Sequence, residues 1–303
     1  MTLGQDPRTT TAGSRSAPLH ERTVGIEIFY FMDRWADEQG DYFGQARSCG
    51  YGGVEISLLN DDTDAYTHIR HELATHGLSV ACSTGLTAEK DVSHPDPAVR
   101  RRGIEWLKRC LEVAASLGSP ILGGVTYAPW FGFPDDHDLE PYRHRSAESL
   151  AEVAVAAETL GVELCVELLN RFETHMLNTV EQANAFIDLI DHPSVKIELD
   201  TFHMSMEEAD LPTAIRAAGR RLGHFQVAAN NRAMPGTGHL DWNGIAAALD
   251  DVSYSGWLVV ETFPNPDVET GRSTHAFRPL VDDPVREATA AATFLRDRLG
   301  GSA

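Results

Sequence analysis

Four short apolar segments in the second half of the sequence each carry, at or near their end, a polar residue that could bind a metal ion or carry a proton. The segments span 162–168, 195–200, 222–228 and 256–262, and the polar residues are Glu167, Asp200, Gln226 and Glu261. A carboxylate is costly to remove from water unless it is paired or bound to a metal ion. Any one of the four could be a capping or solvent-facing group, but their repetition favours a common site. Three carboxylates and an amide oxygen suit Mg, Mn or Co better than Zn.

The elements that must position these residues alternate regularly from residue 24 onward. Strands are predicted at 24–31, 53–57, 79–84, 120–126 and in the four segments above. Helices are predicted at 97–117, 145–160, 180–190 and 284–299. Eight strand–helix units in about 280 residues predict an α/β fold, a single-domain (β/α)8 TIM barrel over 24–303. The alternative, a doubly wound open sheet, would require a glycine-rich turn after the first strand, and the sequence has none there.

The carboxyl ends of barrel strands carry the chemistry, so the four polar residues should meet at one rim. The long loop 127–142 follows the fourth predicted strand and contains Tyr127, Trp130, Phe131 and Phe133. It could simply pack its own aromatic residues, or it could close over the site and exclude water. We include Trp130 and the nearby His144 among the predicted substrate-binding residues.

The composition excludes several classes of partner. The 303 residues carry a formal net charge of -20, which disfavours nucleic acid and anionic membranes. The four cysteines are scattered without a CxxC pair, which is typical of reduced thiols in a cytoplasmic protein. No apolar segment is long enough to span a membrane. Residues 1–23 are rich in Thr, Ser, Arg, Gly and Pro and are predicted to form a disordered tail.

Several motifs resemble one known family, the D-tagatose and D-allulose (psicose) 3-epimerases of the xylose-isomerase-like barrels. The motifs are VELLNRFETHMLNT, LDTFHMSMEE, GHFQVAANNRAMPGTG and VVETF. The resemblance implies one divalent metal ion, with Mn the first expectation and Co or Mg also suitable. It implies that Glu167, Asp200 and Glu261 are ligands. It also implies that Glu173, His203 and Arg232 bind sugar hydroxyls.

The third ligand position departs from this family, which has His where the sequence has Gln226. His224 lies two residues earlier and faces the same side of the strand, one layer deeper in the barrel. We expect Gln226 to bind through its amide oxygen, and a two-residue slip of the strand would make His224 the ligand instead. An amide is neutral and, unlike imidazole, does not protonate at mildly acidic pH.

The predicted chemistry is proton abstraction next to the carbonyl of a ketose or keto-sugar. A metal ion that chelates the ketone oxygen and a neighbouring hydroxyl acidifies the hydrogen between them and balances the charge of the enediolate. Glu167 and Glu261 could flank the substrate, one removing the proton and the other returning it on the opposite face. This is the reaction of a ketose 3-epimerase.

Two alternatives remain open from the sequence. The C-glycoside deglycosidases, whose catalytic subunit resembles this barrel, eliminate a group from a 3-keto glycoside and work with a smaller partner subunit. In that case His137 or His144 could protonate the leaving group, although an isolated loop His is more often simply solvated. A non-catalytic sugar-binding barrel would need no acid/base pair. For the epimerase we expect a homo-oligomer.

Overall fold

The eight segments predicted as strands all form strands in the computed structural model, which describes residues 21–32, 40–59 and 63–302. They are β1 (Arg22–Glu27), β2 (Gly53–Ser57), β3 (Ser79–Leu86), β4 (Ile121–Pro129), β5 (Glu163–Glu167), β6 (Val195–Asp200), β7 (Leu222–Val227) and β8 (Trp257–Val260). Neighbouring strands pair in parallel, and β1 pairs with both β2 and β8. The barrel is therefore closed, and the predicted TIM-barrel fold is confirmed.

Helices surround the barrel and alternate with its strands. They are α1 (Tyr42–Ser48), α2 (Thr63–His76), α3 (Pro97–Leu117), α4 (Glu140–Leu160), α5 (Val180–Ile190), α6 (Thr201–Glu207), α7 (Leu211–Ala218), α8 (Trp242–Asp251), α9 (Glu269–Ser273) and α10 (Pro284–Leu299). Local signals set several of their ends: Thr179 and Gln182 form a capping box before α5, and Gly118 ends α3 in the left-handed conformation. None of the helices in the described ranges is both long and apolar enough to cross a membrane.

The main differences between predicted and observed boundaries lie in β1, β4 and α4. The strand β1 begins at Arg22, so the last two residues of the predicted tail belong to the barrel, while residues 1–20 lie outside the described residues. The first strand ends at Glu27, because residues Ile28–Tyr30 turn into a 3-10 helix. Helix α4 begins at Glu140 rather than 145, which shortens the predicted loop, and β4 extends into that loop as far as Pro129.

Apolar residues fill the amino-terminal end of the barrel interior. They form a separate buried cluster that contains Ala81, Ile121, Cys165, Trp257 and Val259. The indole of Trp257 needs glycine on the nearby strands β1 and β2, because a Cβ at Gly53 would lie 2.5 Å from its ring. This end of the barrel is therefore a packed core, and access to the interior is left to the other end.

Arg22 anchors the start of the barrel to its last helices. Its side chain is buried, and its guanidinium donates to Asp250 at 2.7 Å, to the Tyr254 carbonyl at 2.9 Å and to the Leu299 carbonyl. These contacts explain why the strand begins two residues earlier than its apolar pattern indicates.

We expect the substitution Arg22→Met to lower the free energy of unfolding by about 2–5 kcal/mol, because it leaves buried hydrogen-bond acceptors without a donor. Urea denaturation measures the change. The matched control is Arg101→Met, which breaks a surface ion pair with Glu152 and should cost less than about 1 kcal/mol. Equal losses in the two variants would contradict the anchoring role of Arg22.

Candidate active site

The carboxyl-terminal rim of the barrel brings together the residues predicted from the strand ends. Glu167 and Asp200 are the last residues of β5 and β6, Gln226 pairs in register with Asp200, and Glu261 directly follows β8. Glu167, Gln226 and Glu261 line a cavity of about 150 Å³. That is smaller than the roughly 300–1,000 Å³ of pockets for drug-sized ligands, and it suits a small polar molecule.

Arg232 joins two of the rim carboxylates. One of its terminal nitrogens donates to Asp200 and the other to Glu261, and its guanidinium lies 4.8 Å from the ring centre of Phe202. The residue adopts a left-handed backbone with φ 63°, which is unusual for a side chain of this size. Burial lowers the pKa of Arg232, but the charges of Glu261 and Asp200 outweigh it, and the pKa is raised overall.

His203 lies between the rim carboxylates with a defined tautomer. Its Nδ1 accepts a hydrogen bond from the Asn170 backbone N–H at 3.2 Å and lies 2.8 Å from the Asn170 amide nitrogen. The ring proton is therefore on Nε2, which lies 3.7 Å from both Glu167 and Asp200. Burial lowers the pKa of His203, so the ring is a neutral donor that faces the cavity.

Glu173 is held from both sides at the cavity wall. Trp130 donates through Nε1 to one carboxylate oxygen at 3.0 Å, and Asn170 donates to the other at 2.8 Å. Both Trp130 and Glu173 line the cavity. The loop after β4 therefore contributes an indole that positions an acidic side chain.

The two predicted acid/base residues have perturbed carboxyl groups. Burial, together with the charges of Glu198, Glu261 and Asp200, raises the pKa of Glu167 well above its usual value. Burial likewise raises the pKa of Glu261 to about 8, although Arg232 opposes the shift. Carboxyl groups with raised pKa values can hold a proton near neutral pH, as proton transfer requires.

Gln226 has an oxygen without a partner. Its amide nitrogen donates to Glu55 at 2.7 Å, and its Oε1 atom is buried without any hydrogen-bond partner. Glu55 thus fixes which way the amide points. His224, by contrast, lies one layer deeper, where its Nε2 is 2.5 Å from Glu55, and it does not line the cavity.

The rim fits a divalent cation. Glu167 and Asp200 place carboxylate oxygens within 4.8 Å of each other beside the His203 ring, and Gln226 adds the unpartnered amide oxygen. Two of the rim carboxylates, Asp200 and Glu261, share Arg232 as their cationic partner. Oxygen-rich ligands with excess negative charge are the donor set that hard divalent cations prefer.

Two histidines considered from the sequence lie elsewhere. His144 is exposed on α4 and His137 is exposed in the loop before it, and neither lines the cavity. Sequence reasoning missed the partners of the rim, above all Asn170 and Glu55. A signal for Glu55 was present, because an acidic residue stands in the middle of the short apolar strand Gly53–Ser57.

Comparisons with known proteins agree with this architecture. The sequence pattern of the family described as the xylose isomerase-like TIM barrel matches residues 43–288. The D-psicose 3-epimerase of Agrobacterium fabrum is 32% identical over 289 residues, which cover 91% of this chain and 99% of that protein. The L-ribulose 3-epimerase of Mesorhizobium japonicum is 34% identical over 275 residues, which cover 90% and 92%.

A solved structure shares the fold over nearly its whole length. The D-psicose 3-epimerase with D-tagatose from Clostridium cellulolyticum H10 superposes with a TM-score of 0.85 at 32% identity. The match covers 91% of this chain and 99% of that one. The family predicted from the motifs is thus confirmed, and this chain belongs to the xylose isomerase-like TIM barrel family.

Proposed function

We propose that this protein is a divalent-metal-dependent ketose 3-epimerase. The observation that carries the proposal is geometric: Glu167 and Glu261, from different strands, line one cavity together with Gln226, whose amide oxygen has no partner. The relatives support the same reaction class, since those at 32–34% identity over about nine-tenths of the chain are named sugar 3-epimerases.

The reaction inverts one carbon by moving a proton from one face to the other. Glu167 or Glu261 removes the hydrogen from C3, next to the ketone, and the other carboxylic acid returns a proton to the opposite face. A bound divalent ion supplies the Lewis acidity that polarises the ketone and stabilises negative charge. No other group is transferred, so the product differs from the substrate only in configuration at C3.

The remaining cavity residues bind and orient the sugar. The neutral His203 donates from Nε2, Arg232 donates from its guanidinium, and Glu173 accepts from hydroxyl groups. Trp130 holds Glu173 in position and presents its ring to the apolar face of the sugar. Among the ketoses named for the relatives, D-psicose, D-tagatose and L-ribulose are the first substrates to test.

The metal ligands in this proposal are Glu167, Asp200, Gln226 and Glu261. The register of β7 supports Gln226 over His224, because Gln226 is level with Asp200 while His224 is level with Glu198. An amide in place of an imidazole makes the set entirely oxygen-based, which favours Mn, with Co and Mg as weaker alternatives.

The alternatives receive less support. Elimination from a 3-keto glycoside needs an acid for the leaving group, and the candidates His137 and His144 do not line the cavity. A non-catalytic sugar-binding barrel would not need two proton-carrying carboxyl groups in its cavity, and their removal from water is costly.

The proposal also covers the cellular compartment and the oligomeric state of the enzyme. All four cysteines are buried and free, which supports a reducing compartment such as the cytoplasm. A homo-oligomer, the assembly expected from the sequence, remains a prediction for measurement by light scattering.

Epimerisation in deuterated water tests the proposed reaction. With Mn²⁺ present, NMR should show that one of the three ketoses gains deuterium at C3 as its C3 epimer accumulates. Chelation of the metal should stop both processes, and Mn²⁺ or Co²⁺ should restore them. Full activity in chelator, with no metal found by elemental analysis, would refute the metal requirement.

Glutamine substitutions test the two proton carriers. Glu167→Gln and Glu261→Gln should each slow interconversion by about 10³-fold, because each removes a carboxyl group that moves the proton. Glu173→Gln, which keeps both acid/base groups, should cost less than about 100-fold. Metal content is measured in each variant, so that loss of the ion is not mistaken for loss of the base. Near-normal interconversion by Glu261→Gln would rule out the two-face mechanism.

Substitution of Gln226 tests the oxygen ligand. Gln226→His should shift relative affinity from Mn²⁺ towards Co²⁺, Ni²⁺ and Zn²⁺, since imidazole suits those ions better than an amide does. Gln226→Leu removes the donor and should weaken Mn²⁺ binding at least tenfold. Competitive titration with a metal indicator measures both. Unchanged affinities in the two variants would show that Gln226 is not a ligand.

A further inference from the structure

A second group of metal-binding side chains lies deeper in the barrel than the rim. It consists of Glu55 on β2, Glu198 on β6 and His224 on β7, and we call it the inner cluster. Its three donor atoms lie within 4.8 Å of one another, and all three side chains are fully buried. TIM barrels usually fill this level with branched apolar residues, so the inner cluster requires an explanation.

The two carboxylates of the inner cluster lack a permanent cationic partner. Within the described part of the chain, the ion-pair partner of both Glu55 and Glu198 is His224. At the rim, the guanidinium of Arg232 is engaged by Asp200 and Glu261. Buried carboxylates are stable only when they are protonated, paired or bound to a metal ion.

An unpartnered atom points into the inner cluster. Glu198 Oε1 is buried without any hydrogen-bond partner and lies 3.9 Å from His224 Nε2. Its other oxygen, Oε2, accepts from the Gly124 backbone N–H at 2.6 Å. One oxygen of Glu198 is therefore fixed by the backbone while the other remains available to a ligand.

Two glycines on β4 leave space for this carboxylate. A Cβ at Gly123 would lie 2.3 Å from Glu198 Oε2, and Gly124 adopts a positive φ of 95°. Only glycine at residue 123 leaves space for the carboxylate, and the Gly124 N–H orients it. Residues of two strands, β4 and β6, therefore fix the position of the Glu198 carboxylate.

We propose that the inner cluster is a second metal site, which encloses one divalent ion of the zinc class. Two carboxylates and one imidazole form the mixed oxygen–nitrogen set that suits Zn²⁺ or Co²⁺. Ligands of one tetrahedral ion lie about 3.4 Å apart at the usual bond lengths. Glu55 Oε2 and His224 Nε2, now 2.5 Å apart, need to separate by less than about 1 Å to admit it.

The proposed ion ties the strands together. It would link β2, β6 and β7 across the interior, and it would balance the charge beneath the rim. Glu55 also accepts from Gln226, so the inner ion and the orientation of the rim amide share one carboxylate. Because the inner cluster is closed to solvent, its ion should exchange far more slowly than one at the rim.

Metal counting tests the proposal. The full-length protein is produced in medium supplemented with both zinc and manganese, and the total of the two metals per chain is measured by elemental analysis before and after brief chelation. We expect two ions per chain, of which brief chelation removes one. Glu198→Gln and His224→Gln should each bind one ion fewer than the unaltered protein, and Asp200→Asn should lose the other ion.

A matched control removes a different buried carboxylate. Glu27, fully buried on β1, accepts from the Phe29 N–H and from Ser57, and it is not part of the inner cluster. Glu27→Gln should therefore keep both ions. Circular dichroism confirms that each variant is folded.

X-ray absorption at the zinc edge gives a measurement on the unaltered protein. After brief chelation, the remaining ion should show one imidazole in its coordination shell, and His224→Gln should remove that signature.

The outcomes separate this proposal from the proposed epimerase. One ion per chain that is lost in Asp200→Asn but kept in Glu198→Gln and His224→Gln would overturn the second site while leaving the epimerase intact. One ion that is lost only in the inner-cluster variants would support the inner site and contradict the rim ligands.

Discussion

Burial of negative charge inside the barrel is the constraint on which the arrangement of its polar residues depends. Asp200 and Glu261 at the rim share Arg232, and Glu55 and Glu198 below them share His224. A carboxylate in such surroundings must be protonated, paired or bound to a metal ion. The pKa values of Glu167, Glu198 and Glu261 are raised because removal of a carboxylate from water is costly.

The fold meets this constraint through a division of the barrel interior along its axis. Trp257 and its apolar neighbours close the amino-terminal end, where glycines on the nearby strands β1 and β2 leave space for the indole. Polar side chains can then occupy the upper levels without opening the barrel to water from below. Side chains two residues apart on a strand face the same side, so each polar rim residue on β6 and β7 has a polar residue beneath it.

Positioning of the rim depends on a set of neutral donors and aromatic rings. Asn170 fixes the tautomer of His203 and holds Glu173, which Trp130 holds from the other side. Glu55 orients the amide of Gln226 and leaves its oxygen unpartnered. The chemistry expected of Glu167 and Glu261 therefore rests on residues that carry no proton in the reaction themselves.

The sequence by itself determined the elements and the residues at the strand ends. Helices α3, α5 and α10 have the predicted bounds, because capping residues and apolar periodicity are local signals. Only the tertiary structure decided which inward-facing side chains meet. Glu55 contacts His224 across 169 positions of the chain, and Arg232 bridges Asp200 and Glu261 from a loop. Alternation along a strand indicates which face of the sheet a residue occupies. Which residue it contacts depends on closure of the barrel and on the register of its strands.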